Sequence, residues 1–329
     1  MGVSAFWGSK RVLVTGATGL VGTWLVKNLV ESGARTVAYV RDRDPQSELF
    51  RSGFESRIAV VNGALESYWD IERALVEHEI DTVFHLGAQT IVGAALRSPL
   101  ATFEANIRGT YNLLEACRIH AHTVRRVVVA SSDKAYGAAA HLPYNETMPP
   151  AGRFPYDVSK SCADLIAQSY FHTYELPVVV ARCGNIYGGG DLNWSRIVPG
   201  TIRSLHRGEA AVIRSDGTYT RDYVYVGDAV RAYIAIAEAM HLPSVAGEAF
   251  NFGPARPYRV REIVDALRRM MKREDLEPVV LSTARAEIRD QFLDSAKAER
   301  VLGWKPRFTL EQGLEESVAW YGAYFARFA

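Results

Sequence analysis

Cysteine is scarce: Cys117, Cys162 and Cys183 are the three among 329 residues. They are odd in number, widely spaced and free of any C-x-x-C pair, which argues against a disulfide framework and against a cysteine-pair zinc site, and points to a reducing, cytoplasmic setting. No apolar run approaches the length that spans a bilayer. The opening residues, MGVSAFWGSKRVLV, lack the apolar region of a signal peptide, and Phe6 stands where a myristoylation signal has Ser or Thr. A soluble chain is expected. Neither sign of charge is in excess, since 38 Lys and Arg against 37 Asp and Glu leave a formal net charge of +1. That gives no basic field of the kind that selects nucleic acid or anionic membrane, so an anionic ligand has to be gripped locally. There is no H-E-x-x-H or other paired-ligand spacing, and no metal site is expected. Internal repeats, low-complexity tracts and Pro/Gly/Ser linkers are missing as well, so any two units must interleave.

What is present is alternation. The β-branched runs RVLVTG, RTVAYV, RIAVVNG, DTVFHLGA, RRVVVASS and LPVVVARCG are separated by longer segments of helical periodicity. Short apolar strands alternating with helices predict a parallel sheet covered on both faces, an α/β fold of the doubly wound Rossmann type. After about residue 185 the pattern loosens into mixed elements, then returns to a strand in EAFNFG and to helices near the end. The expected division is a larger unit, residues 1–183 with 222–253, and a smaller mixed α/β unit, residues 184–221 with 254–329. Trp304 and Trp320 are expected to pack the smaller one.

Directly after the first strand, VLVTGATGLVGTWL sets Gly16, Gly19 and Gly22 at the opening of a helix. Glycine permits a tight turn and close backbone approach to a pyrophosphate, and the helix N-terminus offers free N–H groups and a positive dipole end. A dinucleotide site follows. The second strand ends in AYVRDRD, so Asp42 stands where a carboxylate accepts from adenosine ribose hydroxyls and repels a 2′-phosphate, which favours NAD. Arg41 and Arg43 flank it and leave NADP as the less favoured choice.

YDVSK places Tyr156 and Lys160 one helical turn apart on one face. A phenol is a weak base at neutral pH, but a neighbouring ammonium and a nicotinamide cation both favour the phenolate. Together with Ser132 at a strand end and the glycine turn, these residues resemble the extended short-chain dehydrogenase/reductases, the NAD-dependent nucleotide-sugar epimerase/dehydratase family. The resemblance runs over residues 10–321, through TGATGLVG, HLGAQ, ANIRGTYNLLEA, SSDKAYG, YDVSK, ARCGNIYGGGD, RDYVYVGDAV, NFGP and LGWKPRFTLEQGLEESVAWY. It implies a triad of Ser132, Tyr156 and Lys160, with Lys160 also holding the nicotinamide ribose. It implies a cofactor site lined by Thr18, Leu20, Val21, Leu65, His85, Leu86, Gly87, Ala88, Gln89 and Asn106 besides the glycines, Asp42 and Arg43. It further implies a nucleotide-diphosphate hexose held by Asn185, Arg196, Val198 and Arg221, and a homodimer formed through the helices in ATFEANIRGTYNLLEAC and SKSCADLIAQSYFHTYE. One departure is Gly63-Ala64, where the family usually has Gly-Asp beside the adenine.

Asp133 and Lys134 follow Ser132 directly. A 4,6-dehydratase must eliminate water across C5 and C6, which calls for a base at C5 and an acid for the leaving hydroxyl, whereas a 4-epimerase needs neither. The Asp-Lys pair resembles that of CDP-glucose 4,6-dehydratases and of UDP-GlcNAc dehydratases; dTDP-glucose dehydratases have Asp-Glu. The leading expectation is therefore a CDP-glucose 4,6-dehydratase-like hydro-lyase in which Lys134 is the base and Asp133 the acid. A nucleotide-sugar 4-epimerase and a non-enzymatic NAD-binding scaffold are the alternatives. Consecutive residues of a regular strand point to opposite faces, so both side chains reach one substrate only if the strand stops at Ser132.

Overall fold

The computed structural model describes residues 5–327. Its centre is a seven-stranded, wholly parallel sheet built from β1 (Arg11–Thr15), β2 (Arg35–Val40), β3 (Ala59–Asn62), β4 (Thr82–His85), β5 (Arg126–Ala130), β6 (Val178–Cys183) and, after four short strands, β11 (Ala249–Phe252). The spatial order is β11-β6-β5-β4-β1-β2-β3. Every run expected to be a strand is one.

The period of two along each strand explains why both faces are covered. In β1, Val12 and Val14 join the cluster containing Leu25, Val26 and Leu29 of the helix Leu20–Glu31, while Leu13 joins the opposite cluster with Ile71, Leu75, Leu113 and Leu114. Likewise Val128 of β5 faces the first cluster and Val127 and Val129 the second. Burial of each such side chain stabilises the fold by roughly 1.5–3 kcal/mol. The helix Leu20–Glu31 ends in a Schellman motif: Ala34 N donates to Leu29 O and Gly33 N to Val30 O, with Gly33 at φ +94°. Between β1 and β4 the winding reverses, which opens a crevice at the carboxyl ends of the strands.

The remaining strands are short. β7 (Asn185–Tyr187) pairs in parallel with β10 (Tyr223–Tyr225), and β8 (Val212–Ile213) with β13 (Val279–Val280). β9 (Thr220–Arg221) lies between β12 (Tyr258–Arg259) and β14 (Asp290–Gln291). A third cluster, including Tyr187, Ile202, Leu205, Tyr225, Leu267, Leu314 and Tyr321, forms their core. Trp320 packs against this cluster, but Trp304 does not. Trp304 is buried with the large sheet, its ring 5.0 Å from that of Phe252 and its Nε1 donating to Asp228 O. The cause is Asp228, whose carboxylate accepts from the backbone of Arg307 and Phe308 and ties the tail to the large unit. Among the described residues no helix is long and apolar enough to cross a membrane.

Candidate active site

The glycine turn forms a cradle that side chains would fill. Gly16 sits at φ +66°, and a Cβ there would lie 2.8 Å from Gly87 N; a Cβ on Gly22 would lie 2.1 Å from Gly16 O. Gly19 caps the helix Leu20–Glu31 without any side-chain bond, and its first turn holds no acid, so its N–H groups face the crevice with no competing anion. This donor set and the missing Cβ atoms fit a dinucleotide pyrophosphate. Thr18 and Val21 are half-buried beside the turn, and Leu20 is buried. At the end of β2, Asp42 is exposed and paired with Arg41 at 2.6 Å. Arg43 is drawn off to Glu55 at 2.8 Å and stacks 4.4 Å over Phe50.

A chain of buried bonds sets the far wall. Thr110 Oγ1 donates to Asn106 O at 2.6 Å, so it accepts from His85 Nε2 at 3.1 Å; Nδ1 then accepts from Thr15 Oγ1 at 2.9 Å, which in turn accepts from Gly87 N at 3.0 Å. Burial, reinforced by the Lys160 charge, pushes His85 down to about 3, so it is a neutral spacer. Asn106 lies on a π-turn, Glu104–Arg108, which breaks the helical register and aims its amide inward. Its Oδ1 accepts from Gln89 N at 2.7 Å and its Nδ2 donates to Gln89 O and Ser159 Oγ. Leu65 wedges against Gly87 and Gly109, where a Cβ would meet it at 2.9 and 2.7 Å. Leu86 and Ala88 complete this segment, both half-buried.

β5 stops at Ala130, and Ser132 caps a single 3-10 turn, Asp133–Tyr136. Ser132 Oγ accepts from Lys134 N at 3.2 Å and donates to Asp133 Oδ1 at 2.8 Å. The turn ends at Gly137, at φ +67°, whose missing Cβ would meet Ala151 O at 2.2 Å. The strand therefore ends before the pair, and neither side chain points to bulk solvent. Asp133 is 2% exposed with Oδ2 unpartnered. Lys134 is half-buried and its Nζ donates to Gln291 Oε1. Burial, then the Arg221 charge, lowers the Lys134 pKa against the opposing pull of Asp133, Asp157 and Glu287.

The helix Pro155–Tyr174 packs over this turn, with Ser161 Oγ donating to Ala135 O at 2.8 Å. It carries Tyr156 and Lys160. Lys160 Nζ donates to Ala130 O at 2.8 Å, at the very end of β5, and burial brings its pKa down to about 8 against Asp164 and Cys183. Burial pushes the Tyr156 phenol up to about 12; Arg196 and a hydrogen bond with Ser132 lower it, while Asp133 and Asp157 raise it. The expected depression by a lysine ammonium is not among these influences: the cation that lowers the phenol is Arg196, and desolvation outweighs it.

The residues expected to hold substrate are split. Asn185 Nδ2 is buried with no partner, on a strand whose backbone pairs with β10 and donates to Asp222 O. Arg196 pairs with Asp191 at 3.0 Å. Arg221 is 7% exposed and donates to the carbonyls of Thr220, Ile288 and Arg289. Val198 is buried in the third hydrophobic cluster. Three residues that sequence reading passed over belong to the constellation. Asp157, 3% exposed, is pushed up to about 6 by burial with Lys134 opposing and Asp133 reinforcing. Asp222 is wholly buried with Oδ1 unpartnered and a strongly raised pKa, first by burial and then by Asp133. Gln291 holds Lys134. Asp157 was visible as the neighbour of the tyrosine and Asp222 as the neighbour of Arg221 in RDYVYVGDAV; Gln291 carried no sequence signal.

A doubly wound parallel sheet, a glycine turn of G-x-x-G-x-x-G spacing and a Tyr-x-x-x-Lys helix over the end of β5 define an extended short-chain dehydrogenase/reductase. More narrowly, residues 13–317 match the GDP-mannose 4,6 dehydratase family model, and the chain belongs to that family. It is 30% identical to the CDP-glucose 4,6-dehydratase of Salmonella typhimurium, over 97% of this chain and 92% of the relative. It resembles the dTDP-glucose 4,6-dehydratase of Streptomyces venezuelae, solved with NAD bound, with a TM-score of 0.87 at 25% identity over 95% of this chain and 97% of that one. The UDP-glucose 4-epimerase of Thermotoga maritima, solved with UDP-glucose, gives a TM-score of 0.87 at 28% identity, over 96% and 99%.

Proposed function

We propose that the chain is an NAD-dependent nucleotide-diphosphate hexose 4,6-dehydratase, a hydro-lyase giving the 4-keto-6-deoxy sugar. The observation that carries this reading is the pair of buried Asp133 and half-buried Lys134, turned inward together beside Ser132, with the Lys134 Nζ on the buried Gln291. An epimerase has no use for a desolvated acid and base there. Bound NAD supplies the hydride acceptor at C4 and the donor at C6, returning to its starting state. Tyr156, steadied by Ser132, takes the C4 hydroxyl proton; Lys160 holds the nicotinamide ribose. Neutral Lys134 removes the C5 proton acidified by the C4 ketone, and protonated Asp133 gives its proton to the departing C6 hydroxyl.

Asn185, Arg196, Val198 and Arg221 are assigned to the nucleotide hexose, Asn185 and Arg221 to its diphosphate, with CDP as the leading nucleotide because the Asp-Lys pair and the similarity to the Salmonella enzyme agree. The glycine turn, Asp42 and Asn106 are assigned to the cofactor, NAD in preference to NADP. Residues 1–183 with 222–253 serve as the cofactor unit and 184–221 with 254–329 as the sugar-nucleotide unit; residues 1–4 and 328–329 lie outside the described residues. A homodimer and a cytoplasmic setting complete the proposal, the latter supported by three free cysteines.

The test uses substrate deuterated at C4 across CDP-, dTDP-, UDP- and GDP-hexoses. Label arriving at C6 of a 4-keto-6-deoxy product, without stoichiometric NADH, is the expected result. Product that keeps its 6-hydroxyl, with C4 inverted, replaces the dehydratase by a 4-epimerase.

A further inference from the structure

Lys134 reaches from the turn after β5 to β14, where Gln291 Oε1 accepts from its Nζ. Gln291 is fully buried, is held in register opposite Arg221 across the parallel pair β14 and β9, and leaves its Nε2 unpartnered. The charged groups facing the lysine are Arg221 on β9, Asp133 in its own turn, Asp157 on the helix Pro155–Tyr174 and Glu287 ahead of β14. Unlike these groups, the Gln291 amide touches the amine without carrying charge. That distinction has chemical content. An amide oxygen accepts an N–H and fixes the direction of the amine, yet it gives the ammonium far less stabilisation than a carboxylate in the same place.

We infer that Gln291 is a positioning residue for Lys134: it ties down one N–H so that the nitrogen lone pair is aimed into the site, and it does so without adding the negative charge that would lock the lysine as an ammonium. The inference rests on the dehydratase reading. In the step it serves, the Lys134 lone pair takes the C5 proton, the C5–H electron pair closes the C5–C6 double bond, and the C6–O bond breaks. The oxygen leaves as water with the proton of Asp133. The ammonium so formed gives the proton back to C5 when C6 is reduced, and Asp133 regains a proton from solvent, which receives the one taken by Tyr156. The depressed pKa of Lys134, caused by burial and Arg221, agrees with this assignment.

The test compares Gln291→Glu and Gln291→Met with the parent protein, loaded with NAD, on the nucleotide hexose that the parent turns over. Gln291→Glu puts a carboxylate against the amine, so the acid limb of the kcat–pH profile moves up by about one unit or more and kcat at neutral pH falls about tenfold. KM stays within about threefold, and C4 oxidation persists, so nicotinamide absorbance builds up during a single turnover. Gln291→Met loses kcat without the alkaline shift, because it removes orientation and adds no charge. Limbs that coincide with the parent in both variants overturn the inference. So does loss of C4 oxidation in step with elimination in both, since that marks a general structural role; melting curves establish that each variant is folded, and either one alone suffices for the kcat test. If the parent itself releases product bearing a 6-hydroxyl, the dehydratase reading fails first. A dehydrating parent with unmoved variants fails the inference alone.

Discussion

Asp133 is a buried acid whose Oδ1 takes the Ser132 hydroxyl while Oδ2 is left with no partner. That orphan oxygen is where a transferable proton has to sit if the group is an acid for a leaving hydroxyl. Asp133→Asn keeps the size and removes the proton donor, so kcat for 4-keto-6-deoxy product falls roughly a hundredfold or more while C4 oxidation remains. Rapid-scan absorbance of the nicotinamide together with mass analysis of the sugar checks this. If elimination in the variant runs at the parent's rate, Asp133 is not the acid.

Asp157 permits a stability prediction with a definite sign. Its folded-state pKa of about 6 lies above the ordinary 3.8, chiefly through burial, so the native state binds this proton more tightly than the unfolded chain. The contribution is fully present below about pH 4 and is lost as pH rises through about 6. Asp157→Asn has no such loss: its thermal stability matches the parent near pH 4 and exceeds it above pH 6, by at most about 3 kcal/mol. Melting curves across that range measure the difference, and equal curves at all pH values refute it. Residues of this kind mark the limit of sequence reading. Tyr156, Lys160 and the Asp-Lys pair were legible because their spacing is short and they accompany the glycine turn and Ser132 at a strand end. Gln291, 157 positions from the lysine it holds, is neutral and sits in a two-residue strand, so no local pattern advertises it.

At the scale of elements, the strands were legible because β-branched runs bounded by glycine and polar turns leave little alternative to a buried strand. The turn after β5 was legible only as a condition, that the strand end by Ser132; the Ser132 cap on Lys134 N meets it, and Gly137 with its positive φ closes the far end of the turn. Trp304 was misassigned because burial against one core or another depends on Asp228 gripping a distant loop, a long-range bond with no sequence period. The glycine turn gives an element-scale prediction. A Cβ on Gly22 would sit 2.1 Å from the Gly16 carbonyl, and both atoms belong to backbone that cannot swing away. Gly22→Ala therefore separates the helix Leu20–Glu31 from the turn at a cost of about 2 kcal/mol or more. NAD affinity by calorimetry falls in parallel, since the N–H groups that meet the pyrophosphate move with the helix; unchanged affinity contradicts the assignment of the turn.

For the whole molecule, several apolar side chains stay exposed among the described residues, Trp69 and Val279–Val280 among them, and one group of them shares a set of neighbouring helices. Leu100 is 70% exposed, Leu165 52%, Tyr174 54% and Ile119 48%, all on the helices Pro99–Phe103, Gly109–Ile119 and Pro155–Tyr174 that pack together over one face of the sheet. The inner faces of these helices supply the core and the active-site lysine, so the outward leucines do nothing for the single chain and cost solvation. In the proposed homodimer a second copy docking through the same helices would bury them in an isologous interface. The double variant Leu100→Glu, Leu165→Glu places charges at its centre. Light scattering at micromolar concentration is expected to show the parent at twice the chain mass and the variant at the chain mass. Because Tyr156 and Lys160 lie on the opposite side of one of these helices, the monomeric variant also loses rigidity at the site, and kcat falls with dissociation. A parent that runs as a monomer at that concentration removes the dimer and leaves the exposed leucines to another partner.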